Sequence, residues 1–385
     1  MKPTLRIAAL TVATLFATTT AQAFTPPPPP QLENKAYILV DFDSGKVLAE
    51  SNSHAHLAPA SMTKMMTSYI IEQGLLSGKI KETDPVLMTP DAWCHGTSAE
   101  SCMYVPVNTT APVIDMLRGV IIQSGNDASK ALAEHVAGTE PAFADIMNQE
   151  AKRLGMADTH FNNATGMPDP THYSSAFDMA VLARAIIHDS AKYYPIYAEK
   201  EFAYNNIKQG NRNALLYTDP TVDGLKTGHT DEAGYCLTAS SKRGDMRLIA
   251  VVMGTPTMQA RADQDRALFS WGFASFETAK LYAAGTVLAT NPVLYGKAET
   301  VKVGVSNTVA MTLPRGEKDH LVVTPQYQAD LRAPLTVGQT VGQLNVTLNG
   351  QVVAQQPIVA LEAVDEANFF ERIWQRIRNF FRHFI

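Results

Sequence analysis

The sequence predicts a mixed α/β (α+β) domain in which helices flank a sheet, followed by an all-β domain of sandwich type and a terminal amphipathic helix. Three observations lead to this fold class. Up to about residue 280, the sequence contains segments with helical periodicity and segments with strand periodicity. Short strand patterns separated by turn residues then follow without helical periodicity, and the last eighteen residues are helical again. A chain of 385 residues is long enough for two domains of this kind.

Composition narrows the function classes. The apolar fraction of 45% and the charged fraction of 18% are ordinary for a globular protein. The net charge of −5 comes from interspersed charges of both signs, so the chain lacks the composition of a nucleic-acid-binding protein. No internal repeat with a period of about 20–50 residues stands out, which argues against a solenoid.

The N-terminus predicts an export signal. Basic residues flank a short apolar run from Ile7 to about Ala17, and Ala21-Gln22-Ala23 has the small-x-small pattern of a cleavage site. The run is well short of the roughly 20 residues that cross a bilayer, so residues 1–23 are predicted to be a cleaved signal peptide and not an anchor. Residues 24–35 form a stiff, proline-rich arm. The protein is therefore predicted to be exported, and in a host with two membranes to be periplasmic.

The three cysteines suit an oxidising compartment. Cys94 and Cys102 are close together in a loop-like stretch, where a disulfide and two unpaired thiols are equally compatible with the sequence. Cys236 falls within an apolar strand pattern and is predicted to be a buried free thiol.

The first domain, predicted for residues 36–280, opens with a hairpin and a helix. Ala36–Glu50 contains two strand patterns around a cluster of turn residues. Ser61 is predicted to begin a helix that Gly74 and Gly78 break. A helix start presents free backbone N–H groups, which suit a developing negative charge beside Ser61. The buried face of this helix is predicted to carry Met65, Met66, Tyr69 and Ile70.

Helical patterns dominate the middle of this domain. Thr109–Ala137 is helical with one interruption at Ser124-Gly125-Asn126, a turn that presents its side chains outward. Further helices are predicted near Ala142–Leu154 and Ala176–His188. Between them, Asn162–Ser174 is rich in Asn, Gly, Pro and Thr, which predicts a long loop.

Strands and a helix complete the domain. Leu225–Gly228 and Gly234–Ser241 are predicted strands, and a tight turn leads from the second strand to Arg247–Met253. Because that last run is almost entirely apolar, it is predicted to be a buried central strand. A helix from about Met258 to Phe276 closes the region.

The second domain is predicted for residues 285–365. Its short strands have turn residues between them, and Asn349-Gly350 is a strong hairpin signal. No nucleophile, base and acid cluster in this region, so no catalysis is assigned to it. The strands are predicted at Val301–Val303, Thr308–Met311, Leu321–Val323 and Val341–Leu348.

Residues 368–385 predict an amphipathic helix. At about 100° per residue, every apolar side chain falls on one half of the helical wheel, and the other half carries four arginines. Aromatic bulk backed by cationic charge is typical of a helix that lies in an anionic membrane interface. Packing on its own domain and dimerisation are the alternatives. The apolar residues are Phe369, Phe370, Ile373, Trp374, Ile377, Phe380, Phe381, Phe384 and Ile385.

Three short motifs carry the chemistry: Ser61-Met62-Thr63-Lys64, Ser124-Gly125-Asn126 and Lys226-Thr227-Gly228. On a helix, positions i and i+3 share a face, so the Ser61 hydroxyl and the Lys64 amine can meet. A hydroxyl is a weak nucleophile without a base, and a lysine acts as base only when burial or a second cation lowers its pKa. Singly, the motifs are consistent with a helix cap, a turn former and a solvated charge. Their order and predicted settings argue against coincidence.

In this combination the chain resembles the active-site-serine penicillin-recognising enzymes. It is most similar to the low-molecular-mass penicillin-binding proteins that act as serine-type D-alanyl-D-alanine carboxypeptidases. The resemblance rests on Pro59–Lys64, Ser124–Ala128 and Asp223–Thr230 and covers nearly all of the mature chain. It implies a β-lactamase/transpeptidase-like catalytic domain with an antiparallel sheet flanked by helices, a β-rich C-terminal domain, and a terminal helix attached to the outer face of the cytoplasmic membrane.

The resemblance also implies catalytic roles. Ser61 is the acyl-ester nucleophile and Lys64 its general base, with a pKa held down by burial and by Lys226. Ser124 relays a proton to the leaving D-alanine amine. Asn126 orients Lys64 and bonds to the substrate amide.

Substrate binding is implied for five residues: Lys226, Thr227, Gly228, His229 and Arg212. The N–H groups of Ser61 and His229 resemble an oxyanion hole. Thr227 and Arg212 are similar to a carboxylate-binding pair, since an arginine fork suits the free carboxylate at the end of a peptide. The implied substrates are peptidoglycan stem peptides ending in D-Ala-D-Ala, with β-lactam antibiotics as inhibitors and no cofactor or metal.

Four other functions are weighed against this one. A class A β-lactamase needs a glutamate after the second motif to activate water, and none occurs between Glu150 and Glu199, so at most a weak β-lactamase is expected. A D,D-endopeptidase uses the same residues, but such relatives look shorter. A zinc D,D-peptidase has little support because no carboxylate pattern accompanies His54 and His56. A non-catalytic wall-binding protein is the fourth alternative.

Overall fold

The structure is a computed structural model that describes residues 25–94 and 100–382, with the backbone alone for residues 378–382. The predicted signal peptide, residues 1–23, lies outside the described residues. Within the described ranges, no helix combines the length and the apolar character that crossing a membrane requires.

Helices and strands alternate through the first part of the chain, and strands dominate after residue 275. The α-helices are α1 (Lys64–Leu76), α2 (Val113–Arg118), α3 (Asn126–Ala137), α4 (Glu140–Leu154), α5 (Ala176–Asp189), α6 (Leu215–Thr218), α7 (Met258–Ser275) and α8 (Phe369–Arg382). Short 3-10 helices cover Ala60–Thr63, Tyr194–Ala198 and Lys318–His320, and a π-helical turn covers Gly119–Gln123. The strands are β1 (Ala36–Asp41), β2 (Val47–Ser51), β3 (Pro85–Leu87), β4 (Thr110–Pro112), β5 (Glu201–Tyr204), β6 (Ile207–Gly210), β7 (Val222–Thr230), β8 (Gly234–Arg243), β9 (Met246–Thr255), β10 (Phe276–Tyr282), β11 (Val287–Leu294), β12 (Thr300–Gly304), β13 (Val309–Pro314), β14 (Leu321–Tyr327), β15 (Leu331–Arg332), β16 (Thr340–Leu348) and β17 (Gln351–Ala360).

An antiparallel sheet in the order β2-β1-β9-β8-β7 forms the centre of the first part. Its middle strand, β9, contains the run Arg247–Met253, which confirms the predicted central strand. Neither face of β9 meets water, and this explains an unbroken apolar run in place of alternation. Alternate side chains enter the cores on the two faces, Ile249, Val251 and Met253 on one and Leu248, Ala250 and Val252 on the other.

Helices cover both faces of this sheet. Residues of α1, α3, α4 and α5 build the core on one face, and residues of α7 build the core on the other. The proline-rich arm lies along α7, where Trp271 Nε1 donates to Pro27 O at 2.9 Å and Gln264 Nε2 donates to Glu33 O at 2.8 Å. Strand β7 lies at an edge of the sheet, so one of its hydrogen-bonding sides faces away from β8.

The start and end of α1 differ from the prediction. Ser61 lies in a 3-10 turn that precedes α1, and Gly74 lies inside the helix instead of breaking it. A Cβ at Gly74 would lie 3.1 Å from the Ile80 side chain. Close packing there therefore outweighs the low helix propensity of glycine. Gly78, with φ of +74°, follows the end of the helix as predicted.

The β-rich part contains a sheet in the order β14-β16-β17-β12-β11-β15 and a separate pair, β10 and β13. Hairpin β16-β17 turns at Asn349-Gly350, with φ of +51° and +81°, as the sequence predicted. Strand β10 was not predicted; it follows α7 directly and pairs with β13. The bounds of 36–280 and 285–365 for the two domains stay predictions.

The terminal helix predicted for residues 368–385 is present as α8, and residues 383–385 lie outside the described residues. Its start has a capping box, in which Asn368 N donates to Glu371 Oε2 and Glu371 N donates to Asn368 Oδ1, both at 3.0 Å. Gln375 fastens the helix to the β-rich part, because it accepts from Tyr295 N at 2.8 Å and donates to Gly296 O at 3.1 Å.

Candidate active site

Ser61 lies in a turn that two glycines hold from both sides. Gly166 has φ of +84°, and a Cβ at this position would overlap the carbonyl oxygen of Ala60. A Cβ at Gly228 on β7 would lie 2.7 Å from Pro59 O. Backbone packing that only glycine permits therefore fixes the Ser61 hydroxyl between the 162–174 loop and the edge of the sheet.

Lys64 is fully buried at the start of α1. Its Nζ lies 3.0 Å from Ser61 Oγ, 2.7 Å from Asn126 Oδ1 and 2.7 Å from Thr165 O. Burial, and next the positive charge of Arg212, lower the pKa of Lys64 to about 7. A large fraction of Lys64 is therefore neutral near pH 7 and able to accept the proton of Ser61.

Ser124 and Lys226 form a second polar pair. Lys226 Nζ lies 3.0 Å from Ser124 Oγ and donates to Thr227 O at 3.1 Å. Ser124 adopts a left-handed backbone, φ +61° and ψ +33°, between the π-helical turn and α3. Burial first, and then Lys64 and Arg212, lower the pKa of Lys226 well below its ordinary value. The cation that lowers the pKa of Lys64 therefore differs from the prediction: after burial it is Arg212 and not Lys226, and Arg212 also lowers the pKa of Lys226.

Arg212 joins the site through Ser101. Arg212 Nη1 donates to Ser101 Oγ at 2.6 Å, and Ser101 O accepts from Asn126 N at 2.7 Å. The Asp127 carboxylate holds the next segment, because it accepts from the N–H groups of Met103 and of the two residues that follow. These contacts tie the segment that carries Ser101 to the second motif.

The same segment carries a disulfide. Cys94 and Cys102 are bridged, which is one of the two states that the sequence left open. Cys236 is a buried free thiol, as predicted.

For the zinc alternative, the structure supplies a carboxylate that the sequence did not indicate. Asp158 lies 2.7 Å from His54 Nδ1 and 3.4 Å from His56 Nε2. These contacts are hydrogen bonds between exposed histidines and one acid. Among the described residues, the metal-ligand side chains that converge are instead Cys94, Glu100 and Cys102, and the disulfide occupies both of those sulfurs.

A cleft of about 530 Å³ opens at Ser61. The segment Thr165–Pro168 lines one wall, and His229–Glu232 at the β7-β8 turn lines another. Asn126 and Ser101 also line the cleft, whereas Lys64 is buried and reaches it through Ser61 and Asn126. Of the other predicted residues, Lys226, Thr227 and Gly228 are buried in β7, and His229 is exposed and stacks on Tyr235 at 4.0 Å between ring centres.

Sequence reasoning missed four residues that shape this site. Thr165 contributes a backbone carbonyl, so its side chain carries no signal. Ser101 holds Arg212, and Asp127 holds the segment that begins at Met103. Of these two, only Asp127 is adjacent to a motif, Ser124-Gly125-Asn126. Arg261, on α7 and 3% exposed, donates to Gly228 O at 3.1 Å and to Arg212 O at 3.5 Å. It ties β7 to the segment that carries Arg212, a long-range contact that no local pattern reveals.

The partner of the serine decides the class of enzyme. Lys64 lies within hydrogen-bonding distance of Ser61, and none of the histidines that the structure describes does, so the site is that of a serine-type hydrolase of the penicillin-binding-protein class. The family model described as D-alanyl-D-alanine carboxypeptidase (peptidase family S11) matches residues 21–257, and that of the penicillin-binding protein 5 C-terminal domain matches residues 276–366. The chain belongs to the D-alanyl-D-alanine carboxypeptidase family.

Named relatives and solved structures agree with this assignment. The chain is 44% identical over 359 residues to D-alanyl-D-alanine carboxypeptidase DacA of Escherichia coli K12, an alignment that covers 92% of this chain and 89% of that protein. It is 43% identical over 365 residues to DacC of the same organism, with 94% and 91% covered. The crystal structure of penicillin-binding protein 5 from Haemophilus influenzae matches with a TM-score of 0.81 at 41% identity, covering 88% of this chain and 100% of that one.

Substituting Gly166→Ala is expected to lower the rate of Ser61 acylation by a fluorescent penicillin roughly 100-fold, because an added Cβ displaces the turn that holds the serine. The matched control is Gly155→Ala, since Gly155 has φ of +80° and no atom within 4 Å of an added Cβ. Both substitutions strain a left-handed backbone by about 1 kcal/mol. Equal acylation rates in the two variants would show that contact with Ala60 does not position Ser61.

Proposed function

We propose that the chain removes the terminal D-alanine from peptidoglycan pentapeptide stems, as a serine-type D-alanyl-D-alanine carboxypeptidase with Ser61 as its acyl-carrying residue. The observation that carries this proposal is the 3.0 Å contact between Lys64 Nζ and Ser61 Oγ, at a lysine with a pKa of about 7. The family match and the names of the relatives support the substrate class.

In the acylation step, neutral Lys64 accepts the Ser61 proton while Ser61 Oγ bonds to the carbonyl carbon between the two D-alanines. The N–H groups of Ser61 and His229 stabilise the negative charge that develops on the carbonyl oxygen. The bond to the terminal D-alanine nitrogen then breaks as Ser124, backed by Lys226, donates its proton to that nitrogen. The proton that Lys64 accepted from Ser61 passes on to Ser124, so Ser124 is a hydroxyl and Lys64 is neutral again before water enters. This step releases D-alanine and leaves an ester on Ser61.

Water completes the reaction. Lys64 takes a proton from the water as its oxygen bonds to the ester carbonyl carbon, and the Ser61 oxygen leaves and recovers a proton. Asn126 Oδ1 and Thr165 O hold the lysine amine in place through both steps. The product is a stem peptide shortened by one D-alanine.

The edge strand and one arginine account for substrate recognition. An extended peptide can pair with the open side of β7, where its scissile carbonyl meets Ser61. Arg212 and Thr227 bind the free carboxylate at the peptide's end, and an arginine fork matches that group in two hydrogen bonds. Gly228 allows the close approach of β7 to the serine turn that this geometry needs.

Penicillins acylate the same serine because their amide resembles the D-Ala-D-Ala bond. The 162–174 loop places the Thr165 carbonyl against Lys64, and no glutamate occurs between Glu150 and Glu199. The glutamate that a class A β-lactamase uses for rapid lactam hydrolysis is therefore missing from that stretch of sequence, and we infer that β-lactams inhibit the enzyme.

We further propose that the protein is exported and lies in the periplasm, attached peripherally to the outer face of the cytoplasmic membrane through residues 368–385. The support is the exposure of the apolar side of α8: Phe369, Phe370 and Trp374 are 62%, 80% and 66% exposed. Gln375, on the polar side, faces the β-rich part. An aromatic face turned outward suits insertion into a lipid interface.

Labelling with a fluorescent penicillin, followed by a muropeptide digest, tests the proposed activity. Wild-type protein is expected to form a covalent adduct and to convert pentapeptide stems to tetrapeptides by mass spectrometry, whereas Ser61→Ala does neither because the nucleophile is gone. Conversion of cross-linked dimers to monomers would indicate a D,D-endopeptidase instead. Absence of labelling in the wild type would favour a non-catalytic wall-binding protein.

The acylation rate is expected to depend on pH through Lys64. The base acts only when neutral, so below its pKa of about 7 the second-order rate constant for penicillin acylation falls about tenfold for each lower pH unit, and above it the rate constant levels off. Stopped-flow fluorescence between pH 5 and 9 measures the profile. A rate constant that does not change across pH 7 would contradict the assignment of Lys64 as base.

Ending the chain after Asp365 is expected to release the protein from membranes. Truncation removes the exposed aromatic face, so the protein moves from the pellet to the supernatant after ultracentrifugation with vesicles that contain anionic lipid. Penicillin labelling at an unchanged rate is the control for folding. A truncated protein that still sediments with the vesicles would show that α8 is not the attachment.

A further inference from the structure

A basic cavity lies where α8 meets the β-rich part. It has a volume of about 380 Å³, and three arginines line it: Arg332 from β15, and Arg372 and Arg376 from α8. Among the residues that the structure describes, Glu366 is the one carboxylate in the lining. We call this space the arginine cavity.

The positive charges of the arginine cavity are only partly balanced. Arg372 forms an ion pair with Glu366. Arg332 and Arg376 lie over the ring of Tyr295, at 5.9 and 5.6 Å from its centre, and neither has a carboxylate partner among the described residues. Arg372 and Arg376 also stand one helical turn apart, an arrangement that repels like charges. Two uncompensated guanidinium groups therefore converge on one space, which favours an anionic ligand.

The orientation of α8 places this cavity beside the apolar face. The hydrogen bonds of Gln375 to Tyr295 and Gly296 fix the rotation of the helix. Phe369 and Ile373, which belong to the exposed apolar face, also line the cavity. The ligand that fits thus carries a negative charge next to hydrocarbon.

We propose that the arginine cavity binds the phosphate group of an anionic membrane phospholipid, with the lipid's hydrocarbon against Phe369 and Ile373. The inference rests on the proposed attachment of α8 to the membrane. When the apolar face of an amphipathic helix sinks about 5–10 Å into the interface, its polar side lies at the level of the headgroups. Arginine forks bind phosphate oxygens in pairs, a geometry that a lysine ammonium does not provide.

Arg332 offers the sharpest test, because it lies on β15 and its replacement leaves the sequence of α8 intact. The mature protein is sedimented with vesicles of phosphatidylcholine alone and with vesicles that also contain phosphatidylglycerol. Arg332→Gln is expected to weaken binding to the anionic vesicles about fivefold. Lys302→Gln, which removes a positive charge outside the cavity, is expected to bind like the wild type. Unchanged penicillin labelling shows that each variant is folded.

Arg332→Lys separates recognition of phosphate from general attraction. The lysine keeps the charge and loses the fork, so the proposal expects this variant to bind more weakly than the wild type. Wild-type binding by Arg332→Lys or by Arg332→Gln would overturn the proposal. If the Arg332 variants bind like the wild type and the truncated protein does not sediment, then α8 attaches the protein to the membrane and the arginine cavity does not contribute. If the truncated protein binds as the wild type does, the attachment itself fails.

Soluble inorganic phosphate distinguishes the two sources of the anion. Titration of the mature protein with phosphate, followed by the fluorescence of Trp374, is expected to show binding far weaker than to vesicles, because the lipid adds contacts with Phe369 and Ile373. Saturation by free phosphate that depends on Arg332, together with unchanged vesicle binding in Arg332→Gln, would assign the cavity to phosphate and not to lipid.

Discussion

Removal of the Lys64 amine from water is the constraint on which the active site depends. A lysine at its ordinary pKa is protonated at neutral pH and cannot accept a proton from serine. Full burial and the Arg212 charge bring the pKa of Lys64 to about 7. A buried amine also needs hydrogen-bond acceptors. Asn126 and Thr165 provide them from the start of α3 and from the 162–174 loop, so these elements must meet at one atom.

The convergence of these elements on Lys64 Nζ is accompanied by unfavourable backbone conformations. Ala60 and Ser124 both adopt left-handed conformations, with φ of +47° and +61°, next to the two polar pairs. Such conformations are unfavourable for residues with a Cβ and persist only where packing enforces them. The lowered pKa of Lys64 adds a further cost, because between pH 7 and the ordinary lysine pKa the unfolded chain binds a proton that the folded chain does not. Folding stability in that range therefore rises with pH, and the site gives up stability at neutral pH to keep a neutral base.

Local pattern predicted the elements that carry the motifs, and missed what acts between elements. The central strand β9, the break at Ser124 and the hairpin at Asn349-Gly350 each have a signal within a few residues. The prediction that Gly74 ends α1 was wrong, because a glycine at this position makes room for the Ile80 side chain and does not end the helix. The roles of Thr165, Ser101 and Arg261 follow from contacts between segments far apart in sequence. Motif order therefore predicted which side chains meet at the site, whereas the cation that lowers the pKa of Lys64 required the structure.

The contact between Thr165 O and Lys64 also bears on the fate of the acyl-enzyme. A backbone carbonyl accepts a hydrogen bond from the amine and cannot take a proton, so it holds the lysine without competing with it as a base. Glu140, the acid whose Oε1 accepts from Ala164 N at 3.0 Å, supports this loop by a backbone contact. Among the described residues, the base in hydrogen-bonding distance of Ser61 is Lys64. In the proposed mechanism, Lys64 therefore serves both formation and hydrolysis of the ester. When a peptide acylates Ser61, D-alanine leaves as a separate molecule and makes room for water. When a β-lactam acylates Ser61, the leaving nitrogen stays covalently attached to the acyl group. In the proposed mechanism, the same arrangement therefore hydrolyses a peptide ester and retains a penicillin ester.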